Sequence, residues 1–134
     1  MKWSASCVKI PTTVAGELTL LAELERPSWF AYPAAFLRFA GTGIHRFAPW
    51  RFLEPEYVLS RMKGLSERFL NRTLLPFALR TDCADVACWE YEKGSVVVVI
   101  HDFADPGWEQ VGEFENFWSW FRSAVEDFAT FEND

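Results

Sequence analysis

Residues 95–102, SVVVVIHD, hold an unbroken apolar run, Val96 to Ile100, between a glycine turn and a His-Asp pair. A strand with one wet face alternates apolar and polar side chains, and this run does not alternate. Both of its faces must therefore be covered, which makes it a central strand of a sheet. The run is far shorter than the ~20 residues a membrane-spanning helix needs. Leu74–Arg80 and Val86–Tyr91 also read as strands, the second joined to Ser95–Asp102 by the tight turn Glu92-Lys93-Gly94. Trp108–Gly112 is a short further strand.

Before these strands the apolar period is helical. Thr12 and Thr13 can cap a first helix through Glu25, with Val14, Leu18 and Leu21 at helical spacing, and Arg26-Pro27 ends it. A second helix follows Pro33 as AAFLRFA and stops at Gly41. GTGIHRFAPWRFLE reads as a turn and an extended piece. Pro55 opens a third helix with the stripe Val58, Met62, Leu65 and Phe69, in which Gly64 marks a break. The last helix, FENFWSWFRSAVEDF, shows an apolar face of Phe114, Phe117, Trp118, Phe121, Val125 and Phe128, with Trp120 off the stripe. That face is expected to pack on Val96, Val98 and Ile100. Helices, then consecutive hairpin-linked strands, then a helix, predict an α+β fold with a single, mainly antiparallel sheet flanked by helices. At 134 residues it is one domain, residues 1–134.

Charge divides the chain. Residues 1–81 carry 11 basic and 6 acidic residues, while residues 82–134 carry 2 and 13, for a net charge of −6. Either the halves neutralise each other on folding, or the acidic half receives a positive partner. Nucleic acid is not that partner, because phosphate binding needs a basic surface. The N-terminal MKWSASCVKIPTT has no apolar stretch of the kind a signal peptide needs, and Cys7, Cys83 and Cys88 make no disulfide framework. Both features suit the cytoplasm.

No catalytic, metal or cofactor set is expected. Cys83, Cys88 and His101 leave a zinc site short of ligands, with His45 as the only other imidazole. Cys88 with His101 carries no nucleophile–base signature, and Asp102 with Asp105 is a carboxylate pair that so acidic a run produces anyway.

Pro76-Phe77-Ala78, a loop with Asp82, then Ala84-Asp85, a strand with Cys88, the Gly94 turn into VVVVIHD, and Glu113-Phe114 opening an aromatic helix together resemble the SUKH superfamily, the Smi/Knr-like family. The upstream FAYPAAFLRFAGTG is similar to that family's helix and turn, so the resemblance covers Pro27 to Val125. Ala84 stands where the family has glycine, Glu113 where it has serine, and Thr42-Gly43 where it has Asn-Gly. The resemblance implies helices around one mainly antiparallel sheet. It also implies the role of the bacterial members, most of which are immunity proteins that bind and neutralise a secreted toxin, very often a nuclease. The alternative is a regulatory, protein-interaction scaffold of the same fold with no toxin partner.

On this reading Asp82, Asp85, Glu90, Glu92, Asp102, Asp105 and Glu109 supply charge towards a basic protein toxin, with no nucleic acid or membrane partner. Trp108, just after the turn Asp105-Pro106-Gly107, is the aromatic anchor on this reading, the alternative being a loop tryptophan folded back onto the core. Asp85 has a second reading as a structural residue that fixes the turn into its strand.

Overall fold

Six strands form one antiparallel sheet in the computed structural model, which describes residues 18–131. They are β1 (Arg46–Phe47), β2 (Trp50–Phe52), β3 (Leu74–Arg80), β4 (Asp85–Glu90), β5 (Val97–His101) and β6 (Gln110–Phe114). Each strand pairs with the next in sequence, so the sheet is a meander in chain order. The helices are α1 (Ala34–Ala40), α2 (Pro55–Arg68) and α3 (Phe117–Phe131). The α+β class and the single sheet flanked by helices follow the sequence expectation. No helix among the described residues is long and apolar enough to cross a membrane.

The apolar run of β5 lies inside the sheet, and both its faces are buried as its lack of alternation requires. Val97 and Val99, with Ala87 and Trp89 of β4, face a large core closed by Phe36, Phe39 and Ala40 of α1 and by Phe117, Trp120 and Ala124 of α3. Val98 and Ile100, with Val86 and Cys88, face a smaller core closed by Leu65 of α2 and by Phe69. Aromatic rings dominate the larger core. Phe77 stacks on Trp89 at 4.2 Å between centroids, and Trp120 meets Phe77 edge-on at 5.0 Å and Trp50 at 5.2 Å.

Several local expectations are corrected. Part of the proposed first helix lies outside the described residues. From Leu18 to Ala22 the chain is irregular, and a single 3₁₀ turn, Glu23–Glu25, follows. Tertiary contacts overrule helical spacing here: Leu18 and Leu21 are buried in the large core, and the Leu21 N–H donates to the Tyr32 hydroxyl at 3.0 Å. The segment after α1 is more ordered than expected, forming the β1–β2 hairpin. Helix α2 runs unbroken through Gly64.

The buried arc of α3 is rotated from the expected one. Phe117, Trp120 and Ala124 are buried, Trp118 is half-buried, and Val125 and Phe128 are exposed. The partner face of β5 shifts by one residue as well, to Val97 and Val99 in place of Val96, Val98 and Ile100. A helix with aromatics around most of its circumference does not define the centre of its apolar arc, and the flat Trp50–Phe77 wall selects Trp120. Trp120→Ala is therefore expected to cost about 3–5 kcal/mol and Val125→Ala less than about 1 kcal/mol, read from urea unfolding midpoints. The reverse order would put α3 back on the other face.

Candidate interaction surface

Register places the acidic residues at opposite ends of the sheet. Asp85 pairs with His101 across β4 and β5, so the β3–β4 turn and the β5–β6 loop share one end. Asp82, Asp85, Asp102, Asp105 and Trp108 belong to that end. Glu90 and Glu92 belong to the β4–β5 turn at the other. Glu109, at the far end of the β5–β6 loop, shares Arg72 with Glu90 across the sheet.

Most of the acids are also matched within the chain. Asp102 has no solvent exposure. Its Oδ2 accepts from Arg61 Nη1 at 2.6 Å and its Oδ1 from Arg68 Nε at 2.8 Å, which fastens the start of the β5–β6 loop to α2. At the end of the loop Glu109 is buried and accepts from Arg72 Nη1 at 3.0 Å and from the Gly107 N–H at 2.6 Å. Arg72 also donates to both carboxylate oxygens of buried Glu90, at 2.8 and 3.0 Å, and to Gln110 at 2.6 Å. One guanidinium thus ties β4 to β6. Asp82 accepts from Arg80 at 2.8 Å, and this bond holds its carboxyl below the usual range. Asp85 Oδ1 lies 2.8 Å from His101 Nδ1, a cross-strand pair that suits its structural reading. Glu92 and Asp105 carry exposed carboxylates with no ion-pair or hydrogen-bond partner among the described residues. Glu90, Asp102 and Glu109 are therefore inside the fold's own ion pairs rather than on a surface.

Ala84, at the head of β4, has φ +64°, a left-handed conformation that an L side chain makes costly. Its N–H donates to the Arg80 carbonyl at 2.9 Å, closing the turn that aims Asp85 into the strand. Glycine at this position removes the strain.

Between its two fastened ends the β5–β6 loop presents aromatic rings. Phe103 is 72% exposed and Trp108 is 81% exposed. Asp105-Pro106-Gly107-Trp108 closes as a turn, with the Trp108 N–H donating to the Asp105 carbonyl at 2.9 Å and Gly107 at φ +99°. The His101 N–H donates to the Glu109 carbonyl at 2.7 Å, and the Ala104 N–H to the His101 carbonyl at 3.1 Å. The Arg68 guanidinium, held by Asp102, lies 5.7 Å from the Phe103 ring centroid. Phe103 was not singled out from the sequence, and neither were the arginines. A charge placed directly after a two-sided apolar strand was the available signal that Asp102 needs a buried partner.

The cysteines offer no joint chemistry with His101. Cys88 lies in the smaller core, on the strand face opposite Asp85, and burial pushes its thiol well above the ordinary value. Cys83 is exposed, but partial burial still raises its thiol. No group of three His, Cys, Asp or Glu among the described residues could hold a metal ion. No protein-family model, curated protein or solved structure matches this chain.

Two predictions follow the geometry. Burial works to raise the Glu109 carboxyl, but backbone N–H groups and Arg72 outweigh it and hold the group below its ordinary 4.5. A depressed carboxylate stabilises the fold above that value, and the stabilisation is lost as pH falls through the folded-state value. Unfolding titrations should therefore show stability dropping below about pH 4.5, with a shallower acid slope in Glu109→Gln. An identical slope in that variant would remove Glu109 from the account. Ala84→Gly should raise the unfolding free energy by about 1 kcal/mol, whereas a loss would show the turn to be unstrained.

Proposed function

We propose that this chain is a non-enzymatic, SUKH-type immunity protein that neutralises a cognate toxin by seating Trp108 and Phe103 against it. The observation that carries this reading is the Trp108 ring, 81% exposed on a loop whose two ends are held by buried ion pairs. A large aromatic on a pre-ordered loop has little conformational entropy left to lose on docking, and it becomes desolvated once docked. Asp105 beside it and the net charge of −6 favour a basic partner. A nuclease toxin is such a partner, since it needs positive charge to hold phosphate. We place the protein in the cytoplasm, where its thiols stay reduced.

The resemblance itself gains support from two features. The order of elements from α1 to β5 agrees with the order of signals that carried it, whereas Glu113 and Phe114, read as opening the last helix, end β6 instead. The left-handed Ala84 also stands where the resemblance expects glycine, the residue that adopts this conformation at least cost. The contact surface proposed is narrower than the acidic run, because Glu90, Asp102 and Glu109 serve the fold.

Co-expression with the product of the neighbouring reading frame tests the proposal. Wild type should rescue growth and form a complex. Trp108→Ala should keep its melting temperature and dissociate at least about tenfold faster, with Phe103→Ala behaving similarly. Rescue and dissociation unchanged in both variants would move the contact elsewhere. An absence of rescue and of complex with the wild-type protein would favour the scaffold reading.

A further inference from the structure

At the end of the sheet opposite Trp108, a cavity of about 460 Å³ opens beside the β4–β5 turn. Its lining includes Trp29, Phe30, Tyr91, Pro33, Glu92 and Ser95. The three rings form a corner. Trp29 stands nearly perpendicular to Phe30 at 5.6 Å between centroids and to Tyr91 at 5.7 Å. Tyr91 is about half exposed, so the corner is open to solvent.

The charges at this corner are unequal. Glu90 also lines the cavity, but its carboxylate is taken by Arg72, and Lys93 Nζ approaches it at 3.8 Å. The Glu92 carboxylate has no ion-pair or hydrogen-bond partner among the described residues, and its backbone holds φ +67° in a turn that glycine would form at lower cost. An aromatic corner with one unmatched carboxylate attracts cations by ring quadrupole and by charge together. The same stretch of chain already makes one such contact, with the Arg26 guanidinium 5.8 Å from the Tyr32 ring centroid.

We propose that the Trp29–Phe30–Tyr91 corner, with Glu92, binds the guanidinium or alkylammonium group of a basic side chain carried by a partner peptide. The cavity is open to solvent and larger than a free small cation, so a side chain can enter it with its backbone outside. Its volume of about 460 Å³ accommodates a long basic side chain. Neutral apolar ligands would leave the Glu92 carboxylate to be desolvated without compensation. The site is independent of the toxin reading, because it lies at the other end of the sheet and needs no group of the Trp108 loop.

Titration of the full chain with N-acetyl-Gly-Arg-Gly-amide, followed by NMR at the Trp29 indole N–H, tests the proposal. The citrulline peptide, which keeps the shape and removes the charge, and choline serve as the comparison ligands. The arginine peptide should shift the Trp29 resonance saturably, and the citrulline peptide should bind at least about tenfold more weakly. Glu92→Gln should weaken the arginine peptide by about tenfold, and Tyr91→Leu should do so without lowering the melting temperature appreciably. Choline should bind more weakly than the arginine peptide. Equal binding of the arginine and citrulline peptides, tighter binding of choline, or no saturable shift would each overturn the assignment. Trp108→Ala must leave the titration unchanged, which separates this site from the proposed toxin contact.

Discussion

The buried carboxylate of Asp102, held between Arg61 and Arg68, is the contact on which the second side of the sheet depends. A carboxylate without solvent exposure is tolerable only when matched, so the strand β5 cannot end where it does unless α2 lies across it. This requirement fixes α2 over the smaller core, and it fixes the first residue of the β5–β6 loop. Gly64 belongs to the same arrangement. A Cβ at this position would lie 2.9 Å from the Arg68 guanidinium, which folds back over the helix to reach Asp102. The helix forgoes about 1 kcal/mol of propensity at Gly64 to leave that path open.

The division of charge along the chain has a matching explanation. Arginines of the basic half, at 61, 68, 72 and 80, meet acids of the acidic half, at 102, 90, 109 and 82. Folding thus joins the two halves electrostatically, and two aromatic groups are left open to solvent. At one end is the Phe103–Trp108 loop with Asp105. At the other is the Trp29–Tyr91 corner with Glu92. In both places a carboxylate with no partner among the described residues stands beside partly or largely exposed rings, a composition suited to binding.

Much of the fold was legible because burial on two faces and chain punctuation leave direct marks. VVVVI announced an interior strand. Pro33 and Gly41 bounded α1, and Pro55 opened α2, where its fixed φ suits a first helical position. The rest depended on contacts distant in sequence. Nothing in the run from Leu18 to Ala22 reveals that Tyr32 will hold it out of a helix. Nothing within α3 ranks Trp120 above Trp118 until Trp50 and Phe77 form the wall. For the surface, the turn Asp105-Pro106-Gly107 put Trp108 on a loop, but only the structure shows its ring turned outward instead of folded onto the core. The acids could not be sorted, because the partners of Asp102 lie 41 and 34 residues away.

The most direct test of this account is the unfolding free energy of Asp102→Asn, measured together with native-state hydrogen exchange. The side chain keeps its shape and loses its charge, leaving two arginines facing a neutral amide. The account predicts a loss of about 3 kcal/mol, near the lower end for a broken buried pair because both arginines are partly exposed. It also predicts that the amides of Ala104 and Trp108 exchange faster relative to those of β3 and β4. Unchanged stability, with both loop amides as protected as before, would contradict it.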